Sequence, residues 1–250
     1  MPVPVGLTRD TIVECVFEMR FSAGGHAAVA ELLPGLVFGK LPKRFQNLIP
    51  MPLSQVPKLM RDQNPQLRYA PTHALQGQYI RMLFGPHVTA VSFPKPYVGW
   101  EHVQPAILEC MNAVFDTGMT GKPERFSLKY VNLLQQGRNE FDLSQINLQF
   151  KLADFPLREE GVIVRGEIEH NGCITLVEIA SGAKVSVQGS PGESGVLMSV
   201  DTSIAATSND ARAALPQVLE TVHDTEKEIF FGMLSRATLE KLGPTYPTEQ

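Results

Sequence analysis

The sequence predicts an α+β protein, with largely antiparallel sheets and long helices packed on one face. Three observations predict it: several runs alternate with a period of two, others repeat apolar residues at helical spacing, and both kinds occur in each half of the chain. Apolar residues make up 43% of the 250 positions and charged residues 19%, which is the composition of a globular protein with a buried core. Because both kinds of pattern occur in each half of the chain, the fold should consist of two similar α+β halves in tandem.

The first segment alternates strictly and predicts a half-buried strand at Ile12–Phe21. Residues His26–Leu33 carry apolar side chains at helical spacing, and Pro34 is expected to end this short helix. Prolines recur throughout residues 35–71. Because proline interrupts helices and central strands, only edge strands and brief helical turns are expected in that stretch.

The middle of the chain predicts a hairpin followed by a helix. Two strand-like runs, Gln78–Phe84 and His87–Phe93, flank a Gly-Pro turn signal. Residues Glu101–Thr117 have helical apolar spacing, and Gly118 is placed to close that helix in the left-handed conformation. A further strand is expected at Arg125–Leu134.

The second half is expected to repeat this plan. It predicts a strand at Ile146–Leu152 and a hairpin in which Val162–Glu169 and Cys173–Ala180 flank Asn-Gly, a strong hairpin signal. Another strand follows at Val196–Ile204. The longest helix is expected at Asp210–Leu234. A polar stretch at residues 135–142 predicts a boundary between an N-terminal half, 1–137, and a C-terminal half, 138–250. The two halves are either separate domains or parts of one continuous domain.

Charge is distributed unevenly along the chain. Residues 40–100 contain eight basic residues against one acidic residue, Asp62, whereas residues 101–250 contain 12 basic and 21 acidic residues. This asymmetry predicts a basic surface for an anionic partner, whereas the alternative is that the oppositely charged regions face each other within one fold or a homo-oligomer. The five basic residues proposed for this surface, called the basic set below, are Lys43, Arg44, Arg61, Arg68 and Arg81.

Binding of single-stranded nucleic acid is a further alternative. Aromatic residues such as Tyr69 and Tyr79 interleave with arginines in residues 40–100, as in sheets on which bases stack. The chain has no RNP, KH or helix-turn-helix signature, and its net charge is -4. These features favour another protein, or a second copy of the chain, as the partner.

Three polar residues are poorly explained by packing alone. Asn132 lies beside Tyr130 on the apolar side of its predicted strand, so its amide is either a structural latch or a ligand contact. His223 lies at the edge of the apolar stripe of the last long helix. Together they define a possible polar pocket between sheet and helices, and with it the alternative of an enzyme or a binder of a small anionic ligand.

Signatures of metal, phosphate and acyl chemistry are missing from the sequence. The six histidines form no H-x-x-x-H pair, and the three cysteines form no Cys-x-x-Cys pair. The sequence contains neither a P-loop nor a Gly-x-Ser-x-Gly elbow. We therefore predict no catalytic residue, no metal and no cofactor. Without a long apolar run or a signal-like N-terminus, we also expect a cytoplasmic protein that does not enter a membrane.

Three short motifs resemble a sporadically distributed bacterial family of about this length. They are T-I-V-E-C-V-F-E-M-R-F at Thr11–Phe21, L-K-Y-V-N-L-L at Leu128–Leu134 and V-H-D-T-E-K-E-I-F-F at Val222–Phe231. The family typically has arginines in the middle motif, where this chain has Lys129 and Leu133. If those arginines mark a binding surface in relatives, that surface is weakened here.

The resemblance implies a function by association. The family has no assigned catalytic residues, and its patchy distribution looks like that of genes on mobile or defence islands. It implies a non-catalytic, protein-binding component of a bacterial assembly, such as the partner of a toxin or effector.

Overall fold

The structure is a computed structural model that describes residues 3–22, 28–149, 153–155, 158–186 and 192–246. The start of the helix predicted from His26 and the end of the strand predicted at residues 150–152 lie outside these ranges.

The described residues form five helices and eleven strands. The helices are α1 (Val29–Lys40), α2 (Lys58–Asp62), α3 (Trp100–Phe115), α4 (Ala211–Met233) and α5 (Arg236–Leu242). The strands are β1 (Gly6–Leu7), β2 (Ile12–Phe21), β3 (Asn47–Pro50), β4 (His73–Gln76), β5 (Arg81–Phe84), β6 (Val88–Pro94), β7 (Pro123–Leu134), β8 (Ile163–His170), β9 (Cys173–Val185), β10 (Glu193–Ala205) and β11 (Pro244–Thr245).

Nine of these strands, within the described ranges, form one antiparallel sheet in the order β3-β4-β5-β6-β2-β7-β10-β9-β8. The remaining two strands, β1 and β11, pair with each other. A mainly antiparallel sheet combined with helices is the α+β class, so the predicted fold class is confirmed.

The chain divides into two compact units. Unit 1 consists of Met1–Glu14, Lys129–Thr202 and Val222–Gln250, and unit 2 consists of Cys15–Leu128 and Ser203–Thr221. Each unit is therefore assembled from separate segments of the chain, whereas the predicted halves 1–137 and 138–250 are continuous in sequence.

In unit 2 the strict alternation of β2 produces one fully buried face. The side chains of Cys15, Phe17, Met19 and Phe21 are 0% exposed, while the residues between them are partly exposed. Helix α1 contacts α3 and β4, and α3 contacts β6. The strand predicted at Ile12–Phe21 is confirmed with the same bounds.

Helix α1 differs from the prediction because it continues through Pro34 to Lys40. The residues Leu33 and Val37 are one turn apart and both are 0% exposed. Because this apolar pair is buried together, packing outweighs the backbone hydrogen bond that proline cannot donate. The expectation that Pro34 ends the helix is therefore wrong.

The predicted hairpin of unit 2 is present as the antiparallel pair β5 and β6, but its first strand begins at Arg81, because residues 78–80 form the turn after β4. The predicted helix is confirmed as α3, and Gly118 after it has a φ of +62°. Residues 41–71 contain the edge strand β3, the short helix α2 and 3-10 turns, as the prolines indicate, whereas residues 35–40 of the predicted irregular stretch belong to α1. The strand β4 was not predicted.

Unit 1 contains the hairpin β8–β9, whose turn residues Asn171 and Gly172 have φ values of +50° and +72°. Residues of β9, β10, α4 and α5 share its core, which includes Val177, Met198 and Phe230. The predicted strand at residues 146–152 is wrong for its described residues 146–149, because Ile146 makes only an isolated bridge to Leu234. The amide of Asn147 donates to the carbonyl of Met233 instead.

Within the described ranges, no helix has both the length and the apolar character that crossing a bilayer requires.

Candidate functional site

A cleft of about 930 Å³ opens on unit 2. Three stretches contribute most of its wall: the end of α1 with the loop that follows it (residues 40–46), the turn between β4 and β5 (residues 78–80), and the start of α3 with the loop before it (residues 98–109). This volume lies at the upper end of the range of small-ligand pockets and also accommodates a short extended peptide.

A close backbone approach joins two of these stretches. The amide of Gly77 donates to the carbonyl of Ile80, and a Cβ at position 77 would lie 2.6 Å from the carbonyl oxygen of Arg44. The amide of Gln46 donates to the carbonyl of Gln76. Glycine at position 77 therefore lets the loop after α1 pack directly on the turn before β5.

The floor of the cleft is apolar. The side chains of Ile80, Phe93 and Ala106 line it and are 5–7% exposed. Two further lining residues are more open to solvent, because Tyr79 is 51% and Val98 is 43% exposed. Exposed apolar and aromatic side chains beside a concave surface are typical of a binding site.

The rim of the cleft carries cationic side chains. Lys40 and Lys43 line it, are exposed and form no ion pair with any residue that the structure describes. Arg44 also lines it but is engaged, because its guanidinium forms an ion pair with Glu109. The two lysines therefore provide the cationic groups available to a ligand, while the Arg44–Glu109 pair holds the loop after α1 against α3.

The remaining titratable pair at the cleft is exposed. Nδ1 of His102 lies 3.3 Å from a carboxylate oxygen of Glu101, and both side chains are mostly open to solvent. An acidic residue in the first turn is favourable for α3 because of the helix dipole. This pair has the surroundings of a solvated surface.

The structure separates the basic set. Lys43 and Arg44 line the cleft. Arg61 is 9% exposed, and its Nε and Nη1 have no hydrogen-bond partner. Its guanidinium is buried and is therefore not part of an exposed basic surface.

The other two members of the basic set lie outside the cleft lining. Arg68 stacks near the ring of Tyr69, with 5.2 Å between its guanidinium carbon and the ring centroid, and Arg20 lies 4.3 Å from the same centroid. Arg81 lies on β5 opposite Ser92, and its Nε is buried without a hydrogen-bond partner. The five residues thus do not share one site.

The three residues of the predicted polar pocket belong to unit 1 and do not line the cleft. Tyr130 and His223 are in contact, with 6.3 Å between their ring centroids. Asn132 is 1% exposed, and its Oδ1 accepts a hydrogen bond of 2.8 Å from the hydroxyl of Thr11. This buried bond supports the structural-latch interpretation of Asn132.

His223 has a buried neighbour on α4 that the sequence did not single out. Burial, together with the smaller effect of the positive charge of Lys227, lowers the pKa of His223 to about 3. Burial raises the pKa of Glu226, one turn later, to about 8, against a lowering effect of Lys227. At neutral pH the histidine is uncharged and the glutamic acid is mostly protonated, so neither carries charge inside unit 1.

Several residues of the cleft were likewise not predicted as site residues, notably Glu109, Val98 and Lys40. Val98 follows a stretch rich in proline and Glu109 lies on the polar side of α3, so neither stands out by pattern. A usable signal existed for Lys40, which belongs to the excess of basic residues at positions 40–100.

Neither a protein-family model nor a curated protein matches the chain. Two solved structures that align with it are crystal forms III and I of TP0453, each with 12% sequence identity. The alignments cover 87% and 89% of this chain and 98% of the other chain in both cases, with TM-scores of 0.14 and 0.13. Scores this low carry no argument about fold or function.

Proposed function

We propose that this protein is a non-catalytic binding component of a bacterial cytoplasmic assembly, and that its cleft binds an acidic segment of a partner protein. One observation carries the proposal: two exposed, unpaired lysines, Lys40 and Lys43, border an apolar floor in a cleft of peptide size within the part of the chain that the structure describes. An acidic segment with one apolar side chain would match both features, because the apolar group is buried on the floor while carboxylates meet the lysines. The cytoplasmic location and a defence or toxin-partner role rest on the sequence alone and on the family resemblance.

The distribution of the arginines argues against the nucleic-acid alternative. A single strand needs a continuous cationic groove along several phosphates. Arg61 is buried and Arg44 is neutralised by Glu109, so the basic set does not provide such a groove. The enzyme alternative also loses support, because the side-chain oxygen of Asn132, a residue of the predicted polar pocket, already accepts a hydrogen bond from the hydroxyl of Thr11.

Fluorescence anisotropy with defined peptides tests the proposal. The probe is a labelled heptapeptide with one leucine, valine or phenylalanine between two acidic triplets, and its counterpart carries lysines in place of the acidic residues. We expect the acidic probe to bind and the basic one not to bind. Lys40→Glu combined with Lys43→Glu should weaken binding at least about tenfold, since two favourable charge contacts become repulsive.

A matched control makes the same change of charge elsewhere. Lys122→Glu combined with Lys184→Glu reverses two exposed lysines that do not line the cleft, so affinity should stay within about twofold. The proposal is wrong if none of the acidic probes binds at about 1 mM, or if both double variants weaken binding equally. Binding of a labelled oligothymidine or of pyrophosphate at the cleft, without peptide binding, would replace the partner segment by nucleic acid or a small anion.

A further inference from the structure

The strand β8 is an end strand of the nine-stranded sheet, and only β9 pairs with it among the described strands. All its residues except Val164 are exposed. An edge strand presents backbone N–H and C=O groups that can pair with another strand. The residues of β8 determine what such a strand would have to be.

The register fixes which backbone groups are free. The amide of Ser181 donates to the carbonyl of Val162, so the even-numbered residues of β8 bond to β9. The N–H and C=O groups of the odd-numbered residues therefore point away from β9. Those residues are Ile163, Arg165, Glu167 and Glu169.

The two end strands of the sheet differ in how open they are to pairing with a further strand. The other edge strand, β3, has four residues and contains Pro50, and a short strand with a proline resists further pairing. In contrast, β8 has eight residues and no proline. Its charged side chains are the remaining feature that could discourage pairing.

The charged side chains of β8 are self-complementary when two copies of the strand pair around Gly166. In an antiparallel pair of two copies of β8 with the two-fold axis at Gly166, Arg165 lies opposite Glu167 of the second copy, and the reverse pair forms symmetrically. The four odd-numbered residues of each strand then form four hydrogen-bonded pairs, each of which exchanges two backbone bonds.

The other face of the strand is complementary too. In the same register Val164 lies opposite Ile168 of the second copy. Val164 packs against the core of unit 1, and Ile168 is 39% exposed. Pairing would extend the apolar layer of each copy across the junction. At the axis, Gly166 meets Gly166 of the second copy, and a glycine pair leaves no side chain to obstruct the approach.

Neighbouring registers are disfavoured by the same charges. A slip of two residues is the smallest that keeps the free backbone groups opposed. In one direction it places Arg165 opposite Arg165 of the second copy, and in the other it places Glu167 opposite Glu167. Like charges directly opposite each other destabilise a pair of strands, so one register is selected.

We propose that two copies of this chain associate through β8, antiparallel and centred on Gly166, to form a continuous sheet. This inference goes beyond the proposed function and does not depend on the cleft, whose lining lies entirely in unit 2.

The mass in solution of charge variants tests the proposal. We expect the wild-type chain to have twice the mass of one chain in light scattering at about micromolar concentration. Glu167→Arg places arginine opposite arginine and should raise the dimer dissociation constant at least about tenfold. Combining it with Arg165→Glu exchanges the two charges and should restore the dimer.

Two controls separate pairing from folding. Arg236→Glu with Glu240→Arg exchanges an exposed ion pair of α5 and should leave the mass unchanged. Glu167→Pro removes an outward N–H but no bond to β9, so this variant should be folded and monomeric. Its circular dichroism spectrum and melting temperature provide the check on folding.

A disulfide scan identifies the register directly. G166C should form a covalent dimer under oxidised glutathione, since paired residues at the axis have Cα atoms about 4.5 Å apart. E169C lies opposite Ile163 of the second copy and should not cross-link to itself. The native Cys15, Cys110 and Cys173 are buried. A monomeric wild type, a dimer that survives both Glu167→Arg and Glu167→Pro, or equal cross-linking of G166C and E169C would each overturn the proposal.

Discussion

Asn132 is buried on β7, where its side-chain oxygen accepts a bond from the hydroxyl of Thr11. We expect Asn132→Ala to lower the free energy of unfolding by about 1–3 kcal/mol, because the Thr11 hydroxyl then has no partner in a buried position. Urea unfolding measures the loss.

A double-mutant cycle isolates this bond. Thr11→Val removes the donor, so Asn132→Ala should cost less in the Thr11→Val background than in the wild type. Equal costs in both backgrounds would show that Asn132 stabilises unit 1 through other contacts.

His223 and Glu226 should give stability a plateau between pH 4.5 and 6.5. Burial lowers the pKa of His223 from 6.5 to about 3, so below pH 6.5 the unfolded chain binds an extra proton at this site and stability falls as pH falls. Burial raises the pKa of Glu226 from 4.5 to about 8, so above pH 4.5 the folded chain holds the extra proton and stability falls as pH rises. Between pH 4.5 and 6.5 the two effects on the free energy of unfolding are opposite and cancel.

Glu226→Gln tests the alkaline side of this plateau. Above pH 6.5 the effect of Glu226 stands alone, and between pH 6.5 and 8 the wild type should lose about 2 kcal/mol more than Glu226→Gln, which cannot ionise. Urea unfolding at both pH values gives this difference. Parallel pH profiles for the two proteins would contradict the assignment.

At the level of secondary-structure elements, the turn of the β8–β9 hairpin depends on its glycine. Gly172 has a φ of +72°, and a Cβ there would meet no atom within 4 Å, so only the backbone conformation opposes a side chain. We expect Gly172→Ala to lower the free energy of unfolding by about 1 kcal/mol in chemical denaturation.

Gly232 on α4 is the matched control. A Cβ at this position would also meet no atom within 4 Å, but the backbone of Gly232 is helical. Gly232→Ala should therefore raise the free energy of unfolding by about 0.5–1 kcal/mol. If both substitutions changed stability in the same direction, the positive φ would not be the cause at Gly172.

Elements with a clear period could be predicted from the sequence, whereas those decided by tertiary contacts could not. The alternation of β2 and the Asn-Gly turn of β8–β9 carry their own local signals. In contrast, α1 passes Pro34 because Leu33 and Val37 are buried together. The backbone amide of Asn147 donates to Met233 at the end of α4, and Ile146 forms an isolated bridge to Leu234, so these two residues do not belong to a strand.

The candidate site was only partly predictable for a related reason. The excess of positive charge in residues 40–100 pointed to Lys43 and Arg44, which line the cleft. The burial of Arg61 and the pairing of Arg44 with Glu109 depend on contacts distant in sequence. The sequence shows where charged residues lie along the chain, but it does not show which of them form ion pairs or become buried after folding.

For the molecule as a whole, the two units cut across the linear halves. The first three residues of β2 belong to unit 1 and the rest to unit 2, and β7, β10 and α4 are divided in the same way. The predicted boundary at 137–138 falls within Lys129–Thr202, which is one segment of unit 1.

The two units are proposed to have different tasks. Unit 2 holds the cleft with Lys40 and Lys43, and unit 1 holds the edge strand β8. Partner binding and self-association should therefore respond to separate substitutions. Lys40→Glu with Lys43→Glu should leave the mass in solution unchanged, and Glu167→Arg should leave the affinity for the acidic peptide unchanged.

Partner binding by the cleft is tested most directly by titrating ¹⁵N-labelled protein with the acidic heptapeptide and following the backbone amide chemical shifts. We expect saturable shifts concentrated in residues 40–46, 78–80 and 98–109, which line the cleft. Those shifts should be absent with the lysine-substituted peptide. Saturable shifts confined to other regions, or no shifts with any acidic peptide, would contradict the assignment of the cleft as the partner-binding site.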